Sequence, residues 1–451
     1  MPDTALMNVP MLPSFPFLKY VMDTNRLNTA GGERRQSRKM AALLVGCITS
    51  LAMAADVDAQ ATAADSIAER LRRAEAAIAT LQQQLSEQSE NAAKARSGVH
   101  LELTGRVMVG GFGNSRRVNN VDNPQFVRPD TTPGVPVRGV GMAIRQTRLG
   151  VAVRVPGVMG GTFDGDVDVD FYGGQQPSSG GRTFPLLRLR TARGIVRWSN
   201  AHLLIGQESP LISELNPVTP AAIGTPDFAT AGNLWLWLPQ LRIGIESRGG
   251  LRVGIDGAVL APTSGDAVAA FDTDYDLAER SQRPFFQGRV HVGWSEGETR
   301  GEIGCGAHAG WLVPSPNTRL MSRALACDLL APIREWLEVR GEIFSGRGIR
   351  GLGGGAIGQN FTSTNALLGT NGGWAQLNLR PTSSARAGAG CGSDDPVALA
   401  TRLRNDACAV YAILRPAGPL FYGGEFRRLR TEYSAARFTN DHVTLAAGFE
   451  F

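Results

Sequence analysis

From His100 to the end of the chain, apolar and polar side chains alternate with the period of two that is typical of β-strands. The clearest case is the segment 441–451, in which one face is apolar and the other is polar or small. The apolar face consists of Val443, Leu445, Ala447, Phe449 and Phe451. A strand of this kind suits a membrane barrel whose outer face meets lipid and whose inner face meets water. The closing strand of a soluble sandwich is the alternative that this segment alone leaves open.

The same alternation predicts an all-β fold, a transmembrane antiparallel β-barrel of about 16 strands. The strands are predicted near residues 100–109, 144–155, 162–172, 186–198, 202–207, 234–246, 251–260, 284–294, 299–312, 320–330, 335–345, 372–380, 384–391, 408–415, 419–433 and 441–451.

The predicted connections alternate between short and long. Tight turns such as 156–157 and 416–418 are followed by long stretches such as 110–143, 208–233, 261–283 and 346–371. Outer-membrane barrels have this asymmetry, with short periplasmic turns and long external loops. We therefore assign residues 100–451 to a barrel, and a barrel of this size leaves an aqueous channel.

Residues 1–54 are interpreted as a leader that ends in a signal peptide. The basic run 34–39 precedes an apolar core, and the small-residue site Ala52-Met53-Ala54 follows it. Export to the periplasm is the expected consequence.

Residues 55–99 are interpreted as a periplasmic coiled-coil stem and a linker. The apolar residues recur in steps of four and three, at Ile67, Leu71, Ala74, Ile78, Leu81 and Leu85. This spacing is that of a short heptad seam, which is marginal alone and permits a trimer when it is attached to an oligomeric barrel.

Composition excludes several classes of function. The chain of 451 residues is 43% hydrophobic and 19% charged, and no segment after the leader is apolar for the roughly 20 residues that a spanning helix needs. The net charge is +5, and it falls to +2 without the six basic and three acidic residues of the leader, so we expect no nucleic-acid partner. After residue 54, Lys94 is the only lysine. A GC-rich genome without selection on function is one explanation of this preference, and selection for guanidinium groups, which hold carboxylates through two hydrogen bonds, is the other.

Of the five cysteines, Cys47 lies in the leader. Cys305 and Cys327 are symmetric about Pro316, so a hairpin centred there places them opposite one another. Cys391 and Cys408 bracket a polar stretch and could close a loop at its base. Two disulfides would suit an oxidising compartment, and four free thiols are the alternative.

Charged residues alternate with apolar ones on three consecutive predicted strands. Arg148 and Arg154 face inward on one strand, and Arg188 and Arg190 do so on another. The strand between them directs four aspartates inward, namely Asp164, Asp166, Asp168 and Asp170. An acidic ladder between two basic ones either braces the barrel wall or sets a field across a wet passage, and both roles are compatible. The proline-rich run 207–233 would narrow the pore if it folded inward.

Several short motifs, in their order along the chain, resemble the DcaP-like porins of Gram-negative outer membranes. They are Arg145-Gln-Thr-Arg-Leu-Gly150, Asp164-Gly-Asp-Val-Asp-Val-Asp-Phe-Tyr-Gly173, Leu187-Arg-Leu-Arg-Thr-Ala192, Leu204-Ile-Gly-Gln-Glu208, Pro239-Gln-Leu-Arg242 and Tyr422-Gly-Gly-Glu-Phe-Arg-Arg428. The heptad stem and Gly390-Cys-Gly-Ser-Asp-Asp-Pro396 add to the resemblance, and the terminal Phe resembles the assembly signal of such barrels. It implies a homotrimer in the outer membrane that takes up small anionic solutes such as dicarboxylates through an arginine-lined constriction.

The expected function is a passive porin, and a structural anchor with a plugged lumen is the alternative. The candidate pore-lining residues are Arg145, Arg148, Arg154, Arg188, Arg190 and Arg242. We expect no enzyme, because none of the five histidines lies beside a nucleophile in a recognisable motif. No metal-ligand spacing and no cofactor motif is recognisable, so neither a metal nor a cofactor is expected.

Overall fold

The computed structural model describes residues 99–130, 137–173, 185–222, 224–265, 274–296 and 299–451. In the predicted stem it describes residues 76, 78–80 and 83, which are helical. The predicted leader 1–54 lies outside the described residues, as does the rest of the predicted coiled coil and linker up to residue 98. Among the described residues, no helix has the length and apolar character needed to cross a membrane.

The described part of the chain contains 17 β-segments, numbered β1 to β17 in chain order. Their bounds are β1 His100–Asn114, β2 Gly139–Ala143, β3 Arg148–Val158, β4 Gly161–Gly173, β5 Leu186–Arg197, β6 Ala201–Glu208, β7 Leu238–Glu246, β8 Leu251–Leu260, β9 Phe285–Glu296, β10 Thr299–Ser315, β11 Thr318–Arg334, β12 Leu337–Arg347, β13 Gly369–Thr382, β14 Ala385–Pro396, β15 Arg404–Leu414, β16 Leu420–Glu432 and β17 Arg437–Glu450. Short helical turns lie at Glu279–Ser281, Arg350–Leu352 and Gly355–Gly358.

The segments close into one antiparallel barrel. From β3 onward each segment pairs with the next, and β17 pairs with β1. The first half of β1 pairs with β3 and the second half with β2, so β2 and β3 are two parts of one strand. The described segments therefore form 16 barrel strands, which confirms the predicted fold. A closed ring leaves no free edge, as a lipid environment requires.

Side chains alternate between the lumen and the outer surface as the sequence pattern indicates. On β17, Leu445 is exposed on the outside, whereas Thr444 and His442 are buried on the inside. The large exposed apolar side chains of the other strands extend this outer face around the barrel. This arrangement gives the barrel an apolar outer band and places polar side chains such as Thr444 and His442 on its inner face.

Several strands extend further than the sequence indicates, among them β14, β15 and β17. Most of the polar stretch between Cys391 and Cys408 is strand, since β14 continues to Pro396 and β15 begins at Arg404. Similarly, β17 begins at Arg437. The outward positions of these strand ends are charged. The ends were therefore not predicted, because a strand is recognised in the sequence only where its outward positions are apolar.

The long connections lie at one end of the barrel, and short turns close the other end. At the long-loop end, however, two connections are short, at 316–317 and 433–436. Both β10 and β11 have 17 residues, so this hairpin reaches beyond its neighbours without a long loop. The alternation of connection lengths is therefore less strict than predicted.

The connection 209–237, which we call the lumen loop, packs inside the barrel. Leu211, Ile212 and Leu234 are fully buried in one cluster with Phe285 of β9 and Leu312 of β10. Because residues 234–237 belong to this loop, β7 begins at Leu238 and not at the predicted residue 234. The largest apolar core therefore forms between the lumen loop and the inner wall.

Candidate functional site

The charged residues of β3, β4 and β5 form a continuous inner surface, which we call the arginine wall. Backbone register places Arg148 opposite Asp170 and Arg154 opposite Asp164. On the other side of β4, Arg188 lies opposite Asp170. The wall consists of Arg148, Arg154, Arg188, Arg190, Arg193 and Arg197 around Asp164, Asp166, Asp168 and Asp170.

Asp168 and Asp170 are each held by two arginines, which belong to β3 and β5 for Asp168 and to β5 alone for Asp170. Asp170 accepts hydrogen bonds from Arg188 Nη2 at 2.6 Å and from Arg190 Nη1 at 3.2 Å. Asp168 lies 2.9 Å from Arg190 Nε and also forms an ion pair with Arg148. The inner charges of neighbouring strands therefore neutralise one another laterally.

The other two aspartates have the same kind of partners. Asp164 accepts from Arg154 Nε at 2.6 Å and from Arg197 Nε at 3.2 Å. Asp166 accepts from Arg193 Nε at 2.7 Å. The residues added by the structure are Arg193 and Arg197. Strict alternation from Arg190 would turn them outward, but a β-bulge opposite Asp168 and Val169 reverses the alternation.

In every ion pair of the arginine wall the arginine is more exposed than its aspartate. The side-chain exposures are 48% for Arg148 against 9% for Asp168, 66% for Arg154 against 22% for Asp164, and 27% for Arg188 against 0% for Asp170. Arg193 also forms an ion pair with Glu208, so the six arginines exceed their carboxylate partners by one charge. The exposed part of the arginine wall is thus mainly guanidinium, with the carboxylates behind it.

Arg145 lies apart from this wall, at the break between β2 and β3. Its Nε donates to Asp122 Oδ2 at 2.6 Å and its Nη2 donates to Asn120 at 2.9 Å. The guanidinium carbon also stacks 4.1 Å from the ring centroid of Tyr172. Arg145 therefore ties the connection after β1 to the barrel wall.

Arg242 is buried and fixes the start of the lumen loop. Its Nη2 donates to the Ser209 carbonyl at 3.0 Å, and its Nη1 forms an ion pair with Glu214. Of the six predicted arginines, the structure therefore brings together Arg148, Arg154, Arg188 and Arg190, and it places Arg145 and Arg242 as loop contacts.

On β16, which β17 and β1 separate from β3, a second group of charges holds the lumen loop. Arg427 of β16 donates to Asp227 of the loop and, at 2.6 Å, to Glu425 on its own strand. Thr219 Oγ1 of the loop donates to the other oxygen of Glu425 at 2.6 Å. We call Asp227, Glu425 and Arg427 the anchor cluster. Burial raises the pKa of the Asp227 carboxyl well above its usual range; Arg427 opposes this shift, and the nearby Glu425 adds to it.

Between the arginine wall and the lumen loop lies a cavity of about 580 Å³. Arg106, Arg148 and Arg190 line one side, and residues 216–219 with Trp237 line the other. The Arg190 guanidinium carbon lies 4.5 Å from the Trp237 ring centroid. Nothing in the strand pattern indicates Trp237, because its position depends on the path of the loop.

A second lumenal cavity, of about 510 Å³, is lined by both acidic and basic side chains. Asp256 lies 3.2 Å from His202 Nε2 and 3.1 Å from His291 Nδ1. No group of side chains arranged to hold a metal ion is found in the described part of the chain.

The four cysteines of the barrel are paired on adjacent strands. Cys305 and Cys327 join β10 to β11, and Cys391 and Cys408 join β14 to β15. In each pair the Cα atoms are 4.0 Å apart and the residues are direct register partners. The second disulfide therefore crosses two strands in the barrel wall and does not lie at the base of a long loop.

The fold is similar to that of solved outer-membrane channels. The outer membrane channel DcaP of Acinetobacter baumannii aligns with a TM-score of 0.59 and 15% identity, covering 79% of this chain and 98% of that chain. The anion-selective porin from Comamonas acidovorans aligns with a TM-score of 0.48 and 10% identity, covering 78% and 100%. OmpF of Salmonella typhi, in complex with daunomycin, aligns with a TM-score of 0.49 and 10% identity, covering 79% and 98%. No protein-family model and no curated protein matches the sequence. The resemblance to DcaP-like porins that the sequence motifs indicate is confirmed for the fold.

Proposed function

We propose that this protein is an outer-membrane porin through which small anionic solutes, such as dicarboxylates, diffuse passively without any catalysed reaction. The observation that supports this most directly is the exposure difference in the arginine wall, where guanidinium groups cover the aspartates. A guanidinium group binds a carboxylate through two parallel hydrogen bonds, so neighbouring arginines suit a solute with two carboxylates.

Because the arginines are already paired with aspartates, the arginine wall is better suited to let an anionic solute pass than to hold it. Each arginine of the wall already shares its charge with an aspartate, as Arg148 does with Asp168 and Arg154 with Asp164. An incoming carboxylate therefore meets a partly neutralised cation and exchanges from one guanidinium to the next. Conduction needs sites of this kind, attractive enough to enter and weak enough to leave.

The test is the reversal potential of single channels in a salt gradient, for the wild type and for Arg148→Gln/Arg154→Gln. This pair is chosen because Arg190 and Arg197 still hold Asp168 and Asp164 in the variant. We expect the wild type to prefer anions and the variant to lose most of that preference. The control, Arg428→Gln/Arg437→Gln, removes the same charge from the outer surface and should behave as the wild type. Cation preference in the wild type would contradict the proposal.

We further propose that the barrel assembles as a homotrimer in the Gram-negative outer membrane, through its wall and the stem, with the stem in the periplasm. The apolar outer face of the closed barrel supports the membrane location. Both ends of the barrel chain lie together, since Gly105 and Phe451 exchange two backbone hydrogen bonds. Cross-linking of the full chain in native membranes should give a trimer, and deletion of residues 65–90 should weaken it.

The second candidate function is a structural barrel with a plugged lumen. The connection after β1 packs on the anchor cluster, since Arg427 Nη1 donates to the Pro124 carbonyl at 3.0 Å. The connection after β12 packs on the lumen loop, since Trp235 N donates to the Leu352 carbonyl at 3.0 Å. Liposome swelling separates the two candidates, because a plugged barrel admits no small sugar and a porin does.

A further inference from the structure

Two arginines face each other on the outer surface of the barrel. Arg323 of β11 and Arg347 of β12 are direct register partners, and both are exposed. Like charges at opposite positions of neighbouring strands repel each other. Neither arginine forms an ion pair with a carboxylate of the described residues. Other arginines on the outer surface do: Arg428 Nε lies 2.7 Å from Asp441, and Arg404 Nε lies 3.0 Å from Asp406.

The pair lies at the level where a membrane would meet water. Phe286, Ala309, Arg323 and Arg347 form one transverse row across β9 to β12. Phe286 makes an edge-to-face contact with Trp311, with ring centroids 6.2 Å apart. Outward aromatic residues mark the interfaces of membrane barrels. Because this row is near the long-loop end, the arginines would lie at the headgroups of the outer leaflet.

The two arginines border a groove of about 460 Å³ on this face. Ser345 and Asn371 supply further polar groups, and Leu325 lines its apolar part. Toward the middle of the barrel the outer face is apolar, with Leu325 and Ile343 exposed by 65% and 66%. The groove therefore has a cationic upper part and an apolar surface below it, which is the polarity of an anionic lipid.

We propose that this groove binds a phosphate group of lipid A, the phosphorylated glycolipid of the outer leaflet, with its acyl chains along Leu325 and Ile343. A phosphate between Arg323 and Arg347 would receive charge-assisted hydrogen bonds from both and remove their mutual repulsion. Asp395 lies in the same transverse row as Ser345 and Asn371. Its carboxylate is 3.7 Å from Arg404, so it does not compete with a phosphate for Arg323 and Arg347. The proposal rests on the outer-membrane location given under the proposed function.

The test uses the full chain, delipidated in detergent and titrated with bis-phosphorylated lipid A under native mass spectrometry. We expect Arg323→Gln/Arg347→Gln to weaken binding by at least about tenfold, as expected for two lost charge-assisted hydrogen bonds. The matched control is Arg428→Gln/Arg437→Gln, which removes the same charge from the same surface and should change binding less than about twofold. If the double variant did not fold, as judged by heat-modifiable gel mobility, the single variant Arg347→Gln would take its place.

Three outcomes would overturn the proposal. The first is equal binding by the double variant and the control. The second is binding of dephosphorylated lipid A or phosphatidylglycerol as tight as that of lipid A. The third is a double variant that dissociates into monomers with unchanged lipid binding, which would make the groove a subunit contact. Channel conductance is measured in parallel and should not change, so a failure of lipid binding is distinguishable from a failure of the porin function.

Discussion

The arginine wall and the anchor cluster use the same chemistry for different purposes. In the wall, six arginines meet four aspartates on three adjacent strands, and the arginines are the more exposed partners. In the anchor cluster, one arginine lies between two carboxyl groups, and side-chain exposure is 3% for Arg427, 1% for Asp227 and 0% for Glu425. The first group faces the lumen, and the second joins a loop to a strand.

The difference in exposure decides what each group contributes. An ion pair in contact with water adds little to stability, because solvent screens it, but its field still acts on a passing ion. A buried pair is costly to break, because the remaining charge stays without water. We therefore expect the wall to control selectivity and the anchor cluster to control the stability and position of the lumen loop.

The largest effect is expected for Arg427→Met. The substitution leaves Glu425 buried without a cation and should destabilise the folded barrel by about 3–5 kcal/mol. Arg148→Met on the arginine wall is the matched control and should cost less than about 1 kcal/mol, since Arg148 is half exposed. Urea unfolding in detergent micelles, followed by tryptophan fluorescence, measures both.

Equal destabilisation by Arg427→Met and Arg148→Met would contradict the comparison. Single-channel records add a second measure, because a released lumen loop should increase the conductance and its noise in the Arg427→Met variant alone.

A smaller effect is expected from pH at Asp227, whose carboxyl pKa is raised by burial. An unfolded Asp ionises near pH 4, whereas the folded Asp227 keeps its proton to higher pH. The unfolding free energy should therefore fall as pH rises from about 4 to the folded-state pKa, by up to about 1.4 kcal/mol per pH unit. Asp227→Asn cannot ionise and should lose this part of the pH dependence. If the unfolding free energies of the wild type and Asp227→Asn changed in parallel with pH, the Asp227 carboxyl would have the same pKa in the folded and unfolded states, which would contradict the prediction.

The smallest effect on stability is expected for Asp168→Asn. The amide oxygen can still accept from one of the two arginines, since Arg148 and Arg190 contact different oxygens of Asp168, and Arg190 also keeps Asp170 as a partner. Stability should change by less than about 1 kcal/mol. The loss of this negative charge should nevertheless shift the reversal potential further toward the equilibrium potential of the anion. An unchanged reversal potential would mean that the wall does not face the conducting path.

The strand pattern predicts much of the barrel and part of the candidate site. The faces of β3 and β4 follow from simple alternation, which places Arg148, Arg154 and the four aspartates on one side. Arg193 and Arg197 were missed because a bulge in β5 reverses the alternation after Arg190. The roles of Arg145 and Arg242 as loop contacts depend on Asp122 and Glu214, and both partners lie in connections whose path no local pattern indicates.

The sequence by itself determined that alternate side chains from His100 onward meet two different environments, because a strand places neighbouring residues on opposite faces. It also determined the inward charges of the ladders, since lipid does not accept them. Only the tertiary structure decided which charges remain exposed and which become loop anchors. That choice depends on where the lumen loop packs, and its contacts join residues as distant in the chain as Asp227 and Arg427.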